Sequence, residues 1–173
     1  MGYSADFGGQ FDLNKPLAPE HLAYLKAFSI SRRMKRNAKI VEGCSDPVRI
    51  AAGLPIGLEG GYFVGNAEND FGQENDESID VNRGDHNHPP SDQPGLWCQW
   101  IPNDDGTVIE WDGTEKFHNY VEWLKYLIKH FIEPWGYVLN GEVEWQGEER
   151  SDIGKIIVKN NDVQVKMGRI VFS

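Results

Sequence analysis

The sequence predicts an α+β domain: a mostly antiparallel sheet, made of hairpins and a C-terminal meander, with two amphipathic helices packed on one face. Three observations carry that expectation. Apolar residues recur at helical spacing in two stretches, Leu22-Leu25-Phe28 and Phe117 to Phe131. From Tyr137 onward the pattern changes to period two, punctuated by turn residues. The strict strand–helix–strand alternation that a parallel doubly wound sheet needs is absent.

Taken in order, residues 1–16 scatter Gly2, Gly8, Gly9 and Pro16 among Tyr3, Phe7 and Phe11, which reads as an irregular N-terminal arm. Pro19 and Glu20 open the first helix, since Pro lacks an N–H that would be orphaned there and Glu complements the helix dipole. The spacing predicts a helix from Pro19 to Arg36. Glycines between Gly53 and Gly65 predict turns, with one strand near Gly61–Val64. Residues 67–92 hold eight acids against one base, Arg83, and predict a long polar, acidic loop. Leu96–Ile101 and Thr107–Trp111 flank the turn residues Asn103–Gly106 and predict a hairpin. Thr114 is placed to cap the second helix, which Pro134 and Gly136 end. Tyr137–Trp145, Lys155–Lys159 and Val163–Lys166 then form the meander. The whole chain, 1–173, reads as a single domain.

Composition narrows the function. The chain has 173 residues, 39% of them apolar and 12% aromatic, enough for a real core. Its formal charge of −10 argues against a duplex-DNA binder held by phosphate contacts. The mean hydropathy is −0.54. No apolar run approaches the roughly 18 residues of a membrane span, and the first ten residues resemble no secretory signal. The expectation is a cytoplasmic protein without a membrane partner. Cys44 and Cys98, the two cysteines, are expected as buried reduced thiols.

Few motifs carry chemistry. His86 and His88, in Asp85-His86-Asn87-His88, would point to one side of an extended segment and could share a metal ion, but the sequence supplies no third ligand at a recognisable spacing. Asp80–Asp85 departs from a calcium loop, with Asp85 where Gly is needed and Ser91 at the twelfth position. No serine lies in a nucleophile elbow, and no phosphate-cradling glycine loop is present. The residues from Lys26 to Lys39 include six cations and no acid; Arg32, Arg33, Lys35 and Arg36 form a candidate anion site, because guanidinium grips phosphate bidentately. The alternative is that these cations complement their own helix dipole. Carboxylates crowd the acidic loop (Glu74, Asp76, Glu77 and Asp80), and the meander, where Glu142 and Glu144 share one strand face. Trp123, near the edge of the helix stripe, and Trp135, between Pro134 and Gly136, are candidate anchors for a protein partner.

The segments Gln93–Trp100, Glu115-Lys116-Phe117, Tyr120–Leu124 and Pro134–Gly141 resemble small uncharacterised proteins of phages and bacterial prophage regions. The resemblance covers the second half of the chain and transfers no catalytic residue. It implies a setting in which short proteins bind and disable a host component. The leading expectation is therefore a non-enzymatic binding protein, a phage-type accessory or counter-defence factor, acting on a host protein through an acidic surface and needing no cofactor. The alternatives are a binder that sequesters a nucleotide-like anion through Arg32–Arg36 and nearby aromatics, and a metal-dependent hydrolase using His86 and His88.

Overall fold

A computed structural model describes residues 2–65, 78–80 and 84–173. It has an α+β fold with a six-stranded, antiparallel sheet in the order β2-β3-β1-β4-β5-β6. The strands are β1 (Ala5–Leu13), β2 (Trp100–Pro102), β3 (Val108–Trp111), β4 (Leu139–Gly147), β5 (Ile153–Lys159) and β6 (Asp162–Met167). The helices are α1 (Pro19–Ile30), α2 (Ala38–Val41), α3 (Pro47–Ala51) and α4 (Tyr120–Leu127), the last running into a π-helical turn at Ile128–Ile132. Contacts gather these elements into two compact units: the chain up to Leu17 with Gln99–Ser173, and Ala18–Cys98. Of the two helices expected on one face of the sheet, α4 belongs to the sheet unit and α1 to the other.

In the sheet unit the meander forms as its alternation predicts, and the hairpin forms across Asn103–Gly106 with a first strand at Trp100–Pro102 in place of the expected Leu96–Ile101, but the arm is not irregular. Residues Ala5–Leu13 make a central strand, paired with β4 from Ala5↔Gly147 to Leu13↔Leu139 and with β3 at Phe11↔Ile109. Phe7 and Phe11 alternate onto the face that carries Trp100 and Trp145, where rings pack edge-on: Phe7–Trp100 at 5.6 Å and Phe11–Trp100 at 5.5 Å between centroids. Glycine hides that alternation in the sequence. A Cβ on Gly9, whose φ is +105°, would stand 2.5 Å from the Glu142 carbonyl, so the close approach of β1 to β4 needs glycine there.

The second helix starts later than expected. Thr114 does not cap it; its N–H donates to Asp112 Oδ1 at 2.8 Å in a local turn. Asn119, left-handed with φ 57°, precedes the helix, and its carbonyl accepts from Trp123 N–H at 2.9 Å. Phe117 is anchored instead among Phe7, Trp100 and Tyr120. At the other end of the unit, the Asp152 carboxylate accepts from the Tyr3 hydroxyl at 2.7 Å and from the Trp145 indole at 2.9 Å. Those two bonds hold the Asp152 carboxyl below its ordinary value, the Tyr3 bond first, and the same bond raises the Tyr3 phenol.

The unit Ala18–Cys98 contains α1 to α3 joined by turns, with no strand among its described residues. Helix α1 stops at Ile30 instead of Arg36. Ser31 turns extended, its hydroxyl donating to the Ala27 carbonyl at 2.8 Å, and the chain beyond it becomes a central thread. Four N–H groups of that thread donate to four separated segments: Arg33 to Leu96, Lys35 to His88, Arg36 to Glu59 and Asn37 to Ser78, all at 2.7–2.8 Å. The strand expected at Gly61–Val64 is a turn, because Tyr62 and Phe63 donate locally to Ile56 and Gly60. Asp46, 1% exposed, pairs with Arg49 and also accepts from the Val64 N–H. Cys98 is buried as expected, whereas Cys44 is exposed: it lies in the turn after α2, and its Sγ donates back to the Ile40 carbonyl at 3.4 Å.

Candidate functional site

Antiparallel register assigns each side chain of the sheet to a face. One face carries the aromatic core. The other presents Asp6, Gly8, Gln10 and Asp12 from β1, directly opposite Gln146, Glu144, Glu142 and Asn140 from β4, then Ile153, Lys155, Ile157 and Lys159 from β5. Every acid of β1 and β4 on this open face stands opposite a neutral residue, so no carboxylate directly opposes another across the strand pair. Like charges directly opposed destabilise a ladder; the staggering lets four carboxylates share one surface.

A hollow of about 570 Å³ lies on this face, lined by Asp6, Gly8, Glu144, Gln146, Ile153 and Lys155, with Phe7, Trp145, Gly154 and Gly168 also bordering it. Gly8 makes its floor. A Cβ added there would meet nothing within 4 Å, so the missing side chain is what opens the depression. Lys155 Nζ stands 3.7 Å from Glu142 and 3.6 Å from Glu144, all three half exposed to water. At that exposure the contacts contribute little stability and leave the carboxylates available to another cation. Asp6 and Glu144 are brought together from opposite ends of the chain by the β1–β4 pairing. Glu142 and Glu144 are legible as a same-face pair in the sequence; Asp6 and Gly8 are not, because the arm does not read as a strand.

The arginine cluster is placed differently from an anion site. Arg33 is 1% exposed and Arg36 is 3% exposed. Arg33 Nη2 donates to the Phe63 carbonyl, and its guanidinium lies 4.4 Å from the Phe28 ring centroid. Arg36 Nη1 donates to Ser78 Oγ at 2.7 Å, with its guanidinium 4.9 Å from the Phe63 centroid. Arg32 holds the His86 carbonyl at 2.8 Å and Asn87 Oδ1 at 3.0 Å. Lys35 pairs with Glu59 at 2.7 Å. Aromatics do stack on these cations, but they are the unit's own Phe28 and Phe63. The cluster ties loops to the thread.

His86 and His88 do not lie in the extended segment that would align them. Asp85–Asn87 is a 3₁₀ turn, and His88 Nδ1–H donates to the Gly84 carbonyl at 2.7 Å. Among the described residues, no three of His, Cys, Asp and Glu gather to hold a metal ion. Trp123 is fully buried and packs edge-on against Tyr126 at 5.5 Å, so it is a core residue and not a surface anchor. Trp135 is half-buried, its ring tilted on Phe131 at 5.5 Å. Asp80 is exposed, its carbonyl accepting from Asp85 N–H at 3.1 Å. Glu74, Asp76 and Glu77 lie outside the described residues.

Comparison with protein-family models, with curated proteins and with solved structures finds no match to this chain.

Proposed function

We propose that this chain is a non-enzymatic binding protein that takes a lysine- or arginine-rich segment of a partner protein on the open face of its sheet. The observation that carries the reading is the hollow over Gly8, with Asp6 and Glu144 at its margin, Glu142 beside it and Ile153 supplying apolar contact. A basic side chain suits such a place: its stem lies on apolar surface while its charge meets carboxylates. The net charge of −10 adds long-range attraction for a cationic partner. The resemblance to phage and prophage proteins supports a host protein as that partner and a counter-defence role for the binding.

Gly8→Leu is the decisive variant, because a Cβ at Gly8 meets nothing within 4 Å and the longer side chain would project into the hollow while leaving every carboxylate in place. Fluorescence anisotropy with a panel of lysine- and arginine-rich peptides reads it. Binding is expected for the parent chain, to weaken as added salt shortens the Debye length below the roughly 8 Å of physiological ionic strength, and to fall at least tenfold in Gly8→Leu and in the Asp6→Asn, Glu144→Gln pair. Equal binding by the parent and Gly8→Leu would sink the reading.

A further inference from the structure

Strand β6 forms one edge of the sheet. Its two-residue turn, Asn160-Asn161, has both residues left-handed, with φ 48° and 69°. In such a hairpin the flanking residues Lys159 and Asp162 exchange hydrogen bonds, and the alternation then continues along the ladder. Gly168 N–H donates to the Ile153 carbonyl at 2.8 Å, which fixes the same parity at the far end. Asp162, Gln164 and Lys166 thus spend their backbone groups on β5, while those of Val163, Val165 and Met167 face outward along the edge.

The side chains are unfinished in the same place. Val165 lies opposite Ile156, which is fully buried, yet is itself 43% exposed, and Met167 is 70% exposed. On the open face, Lys166 stands directly opposite Lys155, a like-charge pair that disfavours the ladder.

We propose that two copies of this chain join through antiparallel β6–β6 pairing about a two-fold axis at Gln164. In this register Val163 of one copy exchanges both backbone hydrogen bonds with Val165 of the other, and does so twice by symmetry. Asp162 falls opposite Lys166 of the second copy in a non-hydrogen-bonded pair, where side chains come closest. Each Lys166 then gains the carboxylate that its own chain does not set opposite it. A shift of one residue in either direction breaks both Asp162–Lys166 pairs, so charge selects this register. The product is a continuous sheet of twice six strands whose open faces lie side by side. An isologous contact of this kind closes on itself and leaves no further β6 edge.

Sedimentation velocity of the full chain over a concentration series tests this. A species of twice 19.6 kDa that grows with concentration is expected. Val165→Pro removes an outward N–H without touching the β5 ladder and is expected to abolish the dimer. Lys166→Glu is expected to abolish it too, and adding Asp162→Lys to Lys166→Glu to restore it, with thermal melting confirming that each variant folds. Should Val165→Pro fail to fold, the loss and rescue by the charge swap decide alone. A parent chain that stays monomeric to the highest attainable concentration overturns the proposal, as does a dimer that survives Lys166→Glu or is not restored by the swap.

Discussion

The two compact units solve the same problem with different groups. In the sheet unit, backbone N–H and carbonyl groups satisfy one another along five antiparallel pairings, and the core is left to rings and aliphatic side chains. In the unit Ala18–Cys98 no ladder forms among the described residues; loop carbonyls are satisfied by a central thread and by guanidinium groups drawn inside. Loops cannot be buried with unpaired carbonyls. A run of basic residues on a sequence therefore has two meanings, a surface for anions or an internal supply of donors, and here Arg33 and Arg36 have the second. The acidic residues of β1 and β4 remain at the surface, which is why the functional reading rests on the sheet.

The sharpest way to break this contrast is to remove one central group from each unit. Phe11 is fully buried in the sheet unit, and Phe11→Ala is expected to cost about 3–5 kcal/mol in urea unfolding, the range for large aromatic truncations. Arg33→Met removes a charge-assisted bond and a ring contact while keeping much of the volume; about 2–4 kcal/mol is expected. Arg33→Lys should recover less than half of that, since an ammonium can reach a carbonyl but cannot stack a planar fork on Phe28. Hydrogen exchange should show the loss at the amides of Arg33, Lys35, Arg36 and Asn37. Buried ions can be replaced by apolar groups without penalty. If Arg33→Met is neutral, the guanidinium is not what holds these loops.

A smaller effect follows from Glu59, which concentrates the polar design of the second unit in one side chain. Its carboxylate takes Lys35 Nζ on one oxygen at 2.7 Å and the Ser91 N–H and hydroxyl on the other, at 2.8 and 2.5 Å. The Lys35 bond, followed by those of Ser91, lowers its carboxyl to about 2. A depressed carboxyl contributes stability that is present above its ordinary value near 4.5 and is lost as pH falls toward 2. Asp152 in the sheet unit acts in the same direction. The difference between the parent and Glu59→Gln isolates the first: about 1–2 kcal/mol at neutral pH, shrinking between pH 4.5 and 2. A gap that stays constant across that window would mean that the charge of Glu59 is not what Lys35 and Ser91 hold.

How much of this was legible follows from which group satisfies the backbone. The hairpin, the meander and α4 are readable because ladders and helices impose a period on their side chains. Strand β1 obeys the same period, with Ala5, Phe7, Phe11 and Leu13 on one face, but Gly9 occupies the position between Phe7 and Phe11, where close strand contact excludes a side chain. Without that strand, Asp6 and Gly8 do not show in the sequence as neighbours of Glu144, and the hollow loses the wall that β1 gives it. The thread has no period to read. Arg33 and Arg36 look like the end of a basic helix because nothing local records that the Phe63 carbonyl and the Ser78 hydroxyl, distant in sequence, will accept hydrogen bonds from their guanidinium groups. A conformational device that the sequence does show there, Gly60, fits this packing: with φ 74°, its Cβ would come within 2.7 Å of the Arg36 Cβ.

The finest contrast lies within one turn. Asn160 and Asn161 are both left-handed, and asparagine tolerates that conformation because its side chain bonds locally. Their side chains nevertheless differ in task. Asn161 Oδ1 accepts the N–H of Leu139, a fully buried residue at the start of β4, at 2.7 Å, and its Nδ2 donates to the Tyr137 carbonyl at 3.1 Å. Asn160 acts through its backbone, its N–H donating to Asn140 Oδ1 at 2.8 Å. Glycine keeps the left-handed backbone at either position and deletes only the side chain. Asn161→Gly should then cost about 1–2 kcal/mol, because a buried N–H loses its acceptor. Asn160→Gly should stay within about 0.5 kcal/mol of the parent. If both glycine variants unfold at the parent's urea midpoint, backbone conformation alone secures the turn and the start of β4 depends on its ladder. If the two lose stability equally, the asparagine side chains share one role that these bonds do not describe.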